Sequence, residues 1–259
     1  MSAIIRFEDW TDPVPPFERE VVSRLPEDES TAKPPLLFVP GLGHGSWVWT
    51  DWLTHAAGRG FRAYAVTPRP GGTLRTHVHD VVQTAASLPR QAVLVGHGAG
   101  ALTVAYALGR YPAKAAVLAA PVVDGWTTLG TALRANPAGT LPAIFGGRLG
   151  LSRRQLFGDR LPVEQADGFV QRLDRVRPRR ELITHRPAPD PVGAPPVLVV
   201  GSPDDRVVPR ASLDRTAARY GGAPLLFPGM GHDLMLDEGW AEPIGAILDW
   251  LEKELAPVP

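Results

Sequence analysis

The 259-residue chain is 44% apolar and contains no cysteine, so it can fill one large α/β core but cannot make disulfides, thiolate nucleophiles or cysteine metal sites. Its 27 basic and 27 acidic residues cancel, which removes the electrostatic reason to expect nucleic acid or an anionic membrane surface as a partner. No apolar run reaches membrane-spanning length, and Met1 to Pro13 carries Arg6, Glu8, Asp9 and Asp12 where a signal peptide needs an apolar core, so a soluble cytoplasmic protein is the expectation.

In chain order, Ile4 to Trp10 and Glu18 to Leu25 read as edge strands joined by the proline-rich Asp12 to Pro16, with a polar loop from Pro26 to Pro35. Leu36 to Val39 is a short buried strand. It breaks at Pro40-Gly41-Leu42-Gly43-His44-Gly45, ahead of a helix whose start holds Trp47, Trp49 and Trp52, all expected in the core. Phe61 to Val66 is the next strand and Thr76 to Leu88 a helix. Strand Ala92 to Val95, a turn at Gly96-His97-Gly98-Ala99-Gly100, helix Ala99 to Tyr111 and strand Ala115 to Ala119 complete residues 1–121, the first half of the domain. Regularity lapses over residues 122–195, where Trp126 to Leu133, Arg153 to Phe157 and Val163 to Arg175 look helical among prolines and glycines; this reads as an insertion over the strand ends, a lid. The second half, 196–259, brings strand Pro196 to Val200, helix Ala211 to Tyr220, strand Pro224 to Phe227 and helix Ala241 to Leu255. Strands alternating with helices across short loops predict a mostly parallel sheet, with chemistry at the carboxyl ends of its strands.

The turn at Gly98 resembles the nucleophile elbow of α/β-hydrolases, G-x-S-x-G, whose glycines let strand and helix approach closely. Gly98 stands where that family carries its serine. The elbow's positive-φ backbone costs a residue with a side chain about 1–3 kcal/mol, so glycine leaves the fold intact or firmer while removing the only oxygen that could attack a carbonyl there. A bare GxGxG also suits phosphate-cradling turns, and three more loops decide between the readings. Gly201-Ser202-Pro203-Asp204-Asp205-Arg206-Val207-Val208-Pro209 resembles the family's acid loop, with Asp205 as the acid and Asp204 as the fallback. Gly229-Met230-Gly231-His232 resembles the histidine loop, and the order elbow, acid, histidine is the superfamily's. Pro40 to Trp49 is similar to the H-G-x-x-H-G-x-W-x-W loop of the plant methylesterase and hydroxynitrile lyase branch, with Pro40 in place of the first histidine. The resemblance implies an α/β-hydrolase fold, twisted and covered by helices on both faces, with a helical lid. It also implies an oxyanion hole from the backbone N–H groups of Leu42 and Ala99, which needs no particular side chain and so survives loss of the nucleophile.

Each assignment has a structural rival. His232 can be a solvated loop residue, and Asp205 a turn cap or a partner of Arg206. Asp124 sits where some family members keep an alternative acid; with Trp126 and His44 it is a substrate-pocket candidate, and His44 is equally suited to tying the oxyanion loop. His97 is expected to pack beneath the elbow. Ser46, Ser202 and Thr103 do not project from the elbow apex and are rejected as nucleophiles. Arg148 to Arg186 holds ten arginines against five acids, either a solvated helical lid or a surface for a carboxylate, a coenzyme A thioester or an acidic carrier protein.

An acid-oriented histidine beside such a hole suits proton abstraction, C–C bond formation or cleavage, cyclisation, or hydrolysis by direct water attack on a small hydrophobic carbonyl metabolite, with no cofactor and no metal. Two other readings stay open. One is a serine hydrolase silenced at residue 98; the other is a non-catalytic binding protein that kept the pocket.

Overall fold

Leu36 to Val39 has no polar position, a pattern that suits only the middle of a sheet covered on both sides. In the computed structural model, which describes residues 12–28, 30 and 32–256, this segment occupies that place. The strands are β1 (Val21–Arg24), β2 (Leu36–Val39), β3 (Ala63–Val66), β4 (Val93–His97), β5 (Ala115–Ala119), β6 (Val197–Gly201) and β7 (Leu225–Leu226), in the order β1-β3-β2-β4-β5-β6-β7. All neighbours run parallel except β1, which pairs antiparallel with β3, Val21 opposite Val66. The expected strand Ile4 to Trp10 lies outside the described residues.

Alternate side chains of a strand face opposite sides, and β2 divides accordingly. Leu36 and Phe38 join a core with Trp49, Trp52, Leu53, Ile244 and Leu248, on α1 (Thr50–Gly58), its preceding 3-10 turn Ser46–Trp49, and the C-terminal helix Ala241–Glu254. Leu37 and Val39 join the other, with Val78, Val82, Leu102 and Leu108 from α2 (Leu74–Ser87) and α3 (Ala99–Leu108). The three tryptophans divide: Trp49 and Trp52 are in the core, and Trp47 packs half-buried at its margin. Helix α2 starts two residues earlier than expected because the Thr73 hydroxyl accepts from the Thr76 N–H at 3.1 Å and caps it.

Between β5 and β6 run α4 (Gly125–Ala135), α5 (Pro137–Ile144), α6 (Arg153–Leu156), α7 (Val163–Arg172) and α8 (Glu181–Thr184). Helices α5 and α8 were not expected. Pro137 and Pro142 disguise α5 in the sequence, yet Pro137 sits in the first turn, where its missing N–H costs nothing, and Asn136 caps it through Gly139 N at 3.0 Å. This insertion touches two loops of the sheet edge: Asp174 N donates to Gly43 O (2.9 Å), and Leu156 O accepts from Asp233 N (2.8 Å). After β6 come α9 (Arg210–Arg219) and α10, the C-terminal helix Ala241–Glu254.

Candidate active site

Strand β4 ends in a turn whose apex, Gly98, has φ +55° and ψ −120°, a conformation that L side chains rarely adopt. The turn holds its shape through the main chain: Gly98 N donates to Ala119 O (3.0 Å), and Gly98 O accepts from Ala101 N (3.2 Å) and Val122 N (3.1 Å). Close approach explains Gly100, where an added Cβ would lie 2.4 Å from Pro40 O.

Residues 205 and 232 come from loops after β6 and β7, and they meet. His232 Nδ1 lies 2.8 Å from Asp205 Oδ2, with both side chains almost fully buried. The other carboxylate oxygen of Asp205 accepts from Val207 N (2.7 Å) and Val208 N (3.0 Å), so the acid is fixed at both ends. Its cap-like bonds and its pairing with His232 coexist, while Arg206 turns instead to Arg154 O. Asp204 points away and accepts from Gly229 N at 2.7 Å. Burial alone would lower the His232 pKa; the charge of Asp205 and its hydrogen bond, with a smaller pull from Asp233, raise it above the ordinary value instead. With Nδ1 donating to Asp205, Nε2 is left for chemistry, and a Cβ built on Gly98 would stand 3.3 Å from it.

The Leu42 and Ala99 N–H groups have no hydrogen-bond partner among the described residues. The Gly41 Cα, one bond from the Leu42 peptide, would lie 3.8 Å from that same Cβ. A cleft of about 760 Å³ reaches Leu42, His44 and Ala99, with Arg148, Arg175 and Arg177 along its walls. A smaller cavity of about 270 Å³ lies against Leu42, Leu149, Leu151, Val170 and Leu173. Leu42 lines both spaces, and neither Asp205 nor His232 lines either.

Two pocket candidates are corrected. Asp124 caps α4, accepting from Thr127 N and its hydroxyl, and pairs with Arg215; these bonds hold its carboxyl below the ordinary range against the opposing effect of burial. Trp126 is 68% exposed on the outside of α4 and lines neither space. His44 is different: it borders the cleft and also ties the oxyanion loop, with Nδ1 3.0 Å from Leu42 O and Nε2 2.9 Å from Asp233 Oδ2. Asp233 and Asp237 had no assigned role in the sequence. Both are buried, and Asp237 Oδ2 accepts from Gly231 N (2.6 Å) and Gly158 N (2.7 Å), fastening the histidine loop to the insertion. The signal available was their spacing within the otherwise apolar Asp233-Leu234-Met235-Leu236-Asp237.

His97 packs beneath the elbow, its ring centroid 4.7 Å from that of His232. Burial first, then the neighbouring charge of His232, push its pKa down to about 3, so it is neutral near pH 7 and its 3.5 Å approach to Asp233 is not an ion pair. His44, His97 and Asp233 bring one ligand atom each within 4.8 Å of one another. Within this cluster His44 Nε2 is bonded to Asp233 and His97 Nε2 faces His232 O at 3.2 Å, while His97 Nδ1 and Asp233 Oδ1 have no hydrogen-bond partner among the described residues.

Esterase PIR7B of Oryza sativa subsp. japonica is 33% identical over 103 residues, 35% of this chain and 38% of that protein, so the chain spans well under half of that curated relative. Among solved structures, the Paleococcus ferrophilus monoacylglycerol lipase aligns with TM-score 0.67 at 18% identity, over 92% of this chain and 100% of that one. A thermophilic esterase from Thermogutta terrifontis aligns with TM-score 0.68 at 17% identity, over 91% and 93%; likenesses this distant show a shared fold. Residues 36–244 match the profile described as the alpha/beta hydrolase family, and to that family the chain belongs.

Proposed function

We infer that the chain is an enzyme in which His232, oriented by Asp205, is a general base working without a covalent serine intermediate on a small hydrophobic carbonyl compound. The observation that carries this reading is the aim of His232 Nε2 at Gly98 while Nδ1 is anchored 2.8 Å from Asp205. In hydrolysis, Nε2 takes a proton from a water above Gly98, the resulting hydroxide attacks the carbonyl carbon, and the charge develops on an oxygen facing the Leu42 and Ala99 N–H groups. The imidazolium then returns the proton to the departing oxygen, giving acid and alcohol. With an acidic C–H in place of water, the same base and hole would support an enolate. The insertion over residues 122–195 serves as the lid, and its apolar cavity beside Leu42 offers room for the hydrophobic part of the substrate.

A second reading rests on a separate observation. The elbow keeps the strained φ and ψ of a nucleophile position although Gly98 has no side chain that needs them, and the 3.3 Å from an added Cβ to Nε2 leaves a serine hydroxyl within hydrogen-bond reach. That is what a serine esterase silenced at this residue would look like, and a curated relative is named an esterase.

One experiment separates the two. The base mechanism predicts that the natural chain hydrolyses 4-nitrophenyl acetate without a burst, and that His232→Ala lowers the rate about tenfold or more. Equal rates for the two proteins overturn it. If the natural chain shows no His232-dependent turnover and Gly98→Ser gains a burst and labels with a serine-directed phosphonate, the silenced-esterase reading stands instead.

A further inference from the structure

The buried side chain of His44 has no part in the base mechanism, yet both of its ring nitrogens are used. Nδ1 faces Leu42 O at 3.0 Å and Nε2 faces Asp233 Oδ2 at 2.9 Å. The ring thus spans the Leu42 carbonyl and the Asp233 carboxylate, both of them hydrogen-bond acceptors. Burial pushes the Asp233 carboxyl up, but the charge of His44 and its hydrogen bond, with smaller pulls from His97 and His232, hold it below the ordinary range. Both side chains of the pair are buried, 2% and 0% exposed.

The placement of this pair is what matters. The His44 main-chain N–H also donates to Gly41 O, at 3.2 Å. The Gly41–Leu42 peptide is trans, so its carbonyl and the Leu42 N–H point in opposite directions. Capturing Gly41 O on one side aims the Leu42 N–H at the other, where Gly41 Cα adjoins the Gly98 site. Leu42 O is taken by the His44 ring and Gly43 O by Asp174 N. All three carbonyls of the turn are held, two of them by His44. The turn also sits directly on the imidazoles: a Cβ at Gly41 would lie 3.0 Å from His97 Nδ1 and 3.4 Å from His44 Nδ1. Asp233, the anchor, is the residue after His232.

We propose that His44 is a positioning residue: an imidazole that, held between Leu42 O and Asp233, locks the Gly41–Gly43 turn so that the Leu42 N–H is preset toward the reacting oxygen and in register with His232. The proposal rests on the oxyanion role given to Leu42 above. A buried His–Asp pair serving only as core glue would look similar in coordinates, and two amide replacements tell the roles apart. An asparagine amide reaches the place of Nδ1 and can keep the bond to Leu42 O; a glutamine amide reaches the place of Nε2 and can keep the bond to Asp233.

The first arm needs neither a variant nor turnover. Nitrogen-15 spectra of the folded natural chain are expected to show both His44 ring nitrogens engaged in hydrogen bonds; one free nitrogen overturns the proposal. In the second arm, 4-nitrophenyl acetate kinetics are run on whichever protein turns over, the natural chain or Gly98→Ser. His44→Gln is expected to lower kcat about tenfold with KM within about twofold, less than the loss from deleting an oxyanion donor, while His44→Asn keeps more of kcat. Equal losses in both variants, losses confined to KM, or no loss in folded variants overturn it. If neither protein turns over, the base reading fails. The proposal is then decided by the first arm and by hydrogen exchange at the main-chain amides of residues 44 and 174, which donate to the turn's carbonyls and should speed up in His44→Gln and not in His44→Asn; unchanged exchange in both overturns it.

Discussion

His232 and Asp205 show how far one side chain's properties depend on a partner from another loop. A fully buried imidazole would ordinarily lose its proton more easily, and here the 2.8 Å contact with a carboxylate reverses the sign. A general base works only when neutral, so a raised pKa moves the rising limb of the rate profile upward. The kcat/KM of the protein is expected to climb with pH through an apparent pKa above 6.5. In Asp205→Asn that limb should move to lower pH while the plateau falls about a hundredfold or more, because the amide neither stabilises the imidazolium nor fixes its tautomer. A limb that stays in place in Asp205→Asn would show that another group titrates. Both residues of this dyad were legible in the sequence, since each follows a strand within a glycine-marked loop. The His44–Asp233 pair was not: its partners are 189 residues apart, and nothing local marks Asp233 as anything but a polar interruption in an apolar run. Asp124 misled for the opposite reason. It occupies a plausible acid position after β5, but a carboxylate one residue before a helix is captured first by that helix's own N–H groups.

Among the elements, the strands and core helices were readable because apolar period and length agree, whereas the insertion carries short helices whose prolines and glycines look like loop. Its anchoring is visible only in three dimensions. A single carboxylate oxygen of Asp237 accepts from Gly231 on the histidine loop and from Gly158 just after α6, and Leu156 O takes the Asp233 N–H. The segment α6 is thereby stapled to the loop that carries the base. Removing the staple strands the buried Gly231 N–H and the half-buried Gly158 N–H, at about 1–3 kcal/mol for a fully buried group and less for the other. Asp237→Ala is therefore expected to lower the urea-unfolding free energy by about 2–4 kcal/mol, and to speed hydrogen exchange at Gly158 and Gly231 more than at β4. Uniform exchange across the sheet would mean that Asp237 supports the core as a whole instead of this junction.

For the molecule as a whole, burying several histidines at one sheet edge makes stability a function of pH with a definite shape. His97 titrates near 3 when folded and near 6.5 when unfolded. Between those values the unfolded chain binds the extra proton, so stability falls as pH drops below 6.5, by about 2 kcal/mol at pH 5 from this residue alone. His77, also pushed down by burial, adds to the same slope. His232 acts in the other direction: its folded pKa lies above the unfolded one, so its contribution is complete below about 6.5 and is lost as pH rises through the folded value. The lowered Asp233 matters only further down, where its contribution, present above the unfolded carboxyl value near 3.8, is lost as pH falls through the folded one. The opposing slopes place the stability maximum near neutrality, on the acid side of the range in which the base is active. Urea titrations at pH 5, 6.5 and 8.5 should trace that maximum, with His97→Asn flattening the acid limb and His232→Gln the alkaline one. Because one imidazole must stay neutral beneath the elbow while its neighbour, 4.7 Å away, must exchange a proton above it, an acid limb unchanged by His97→Asn would break the link between the buried cluster and the fold's response to pH.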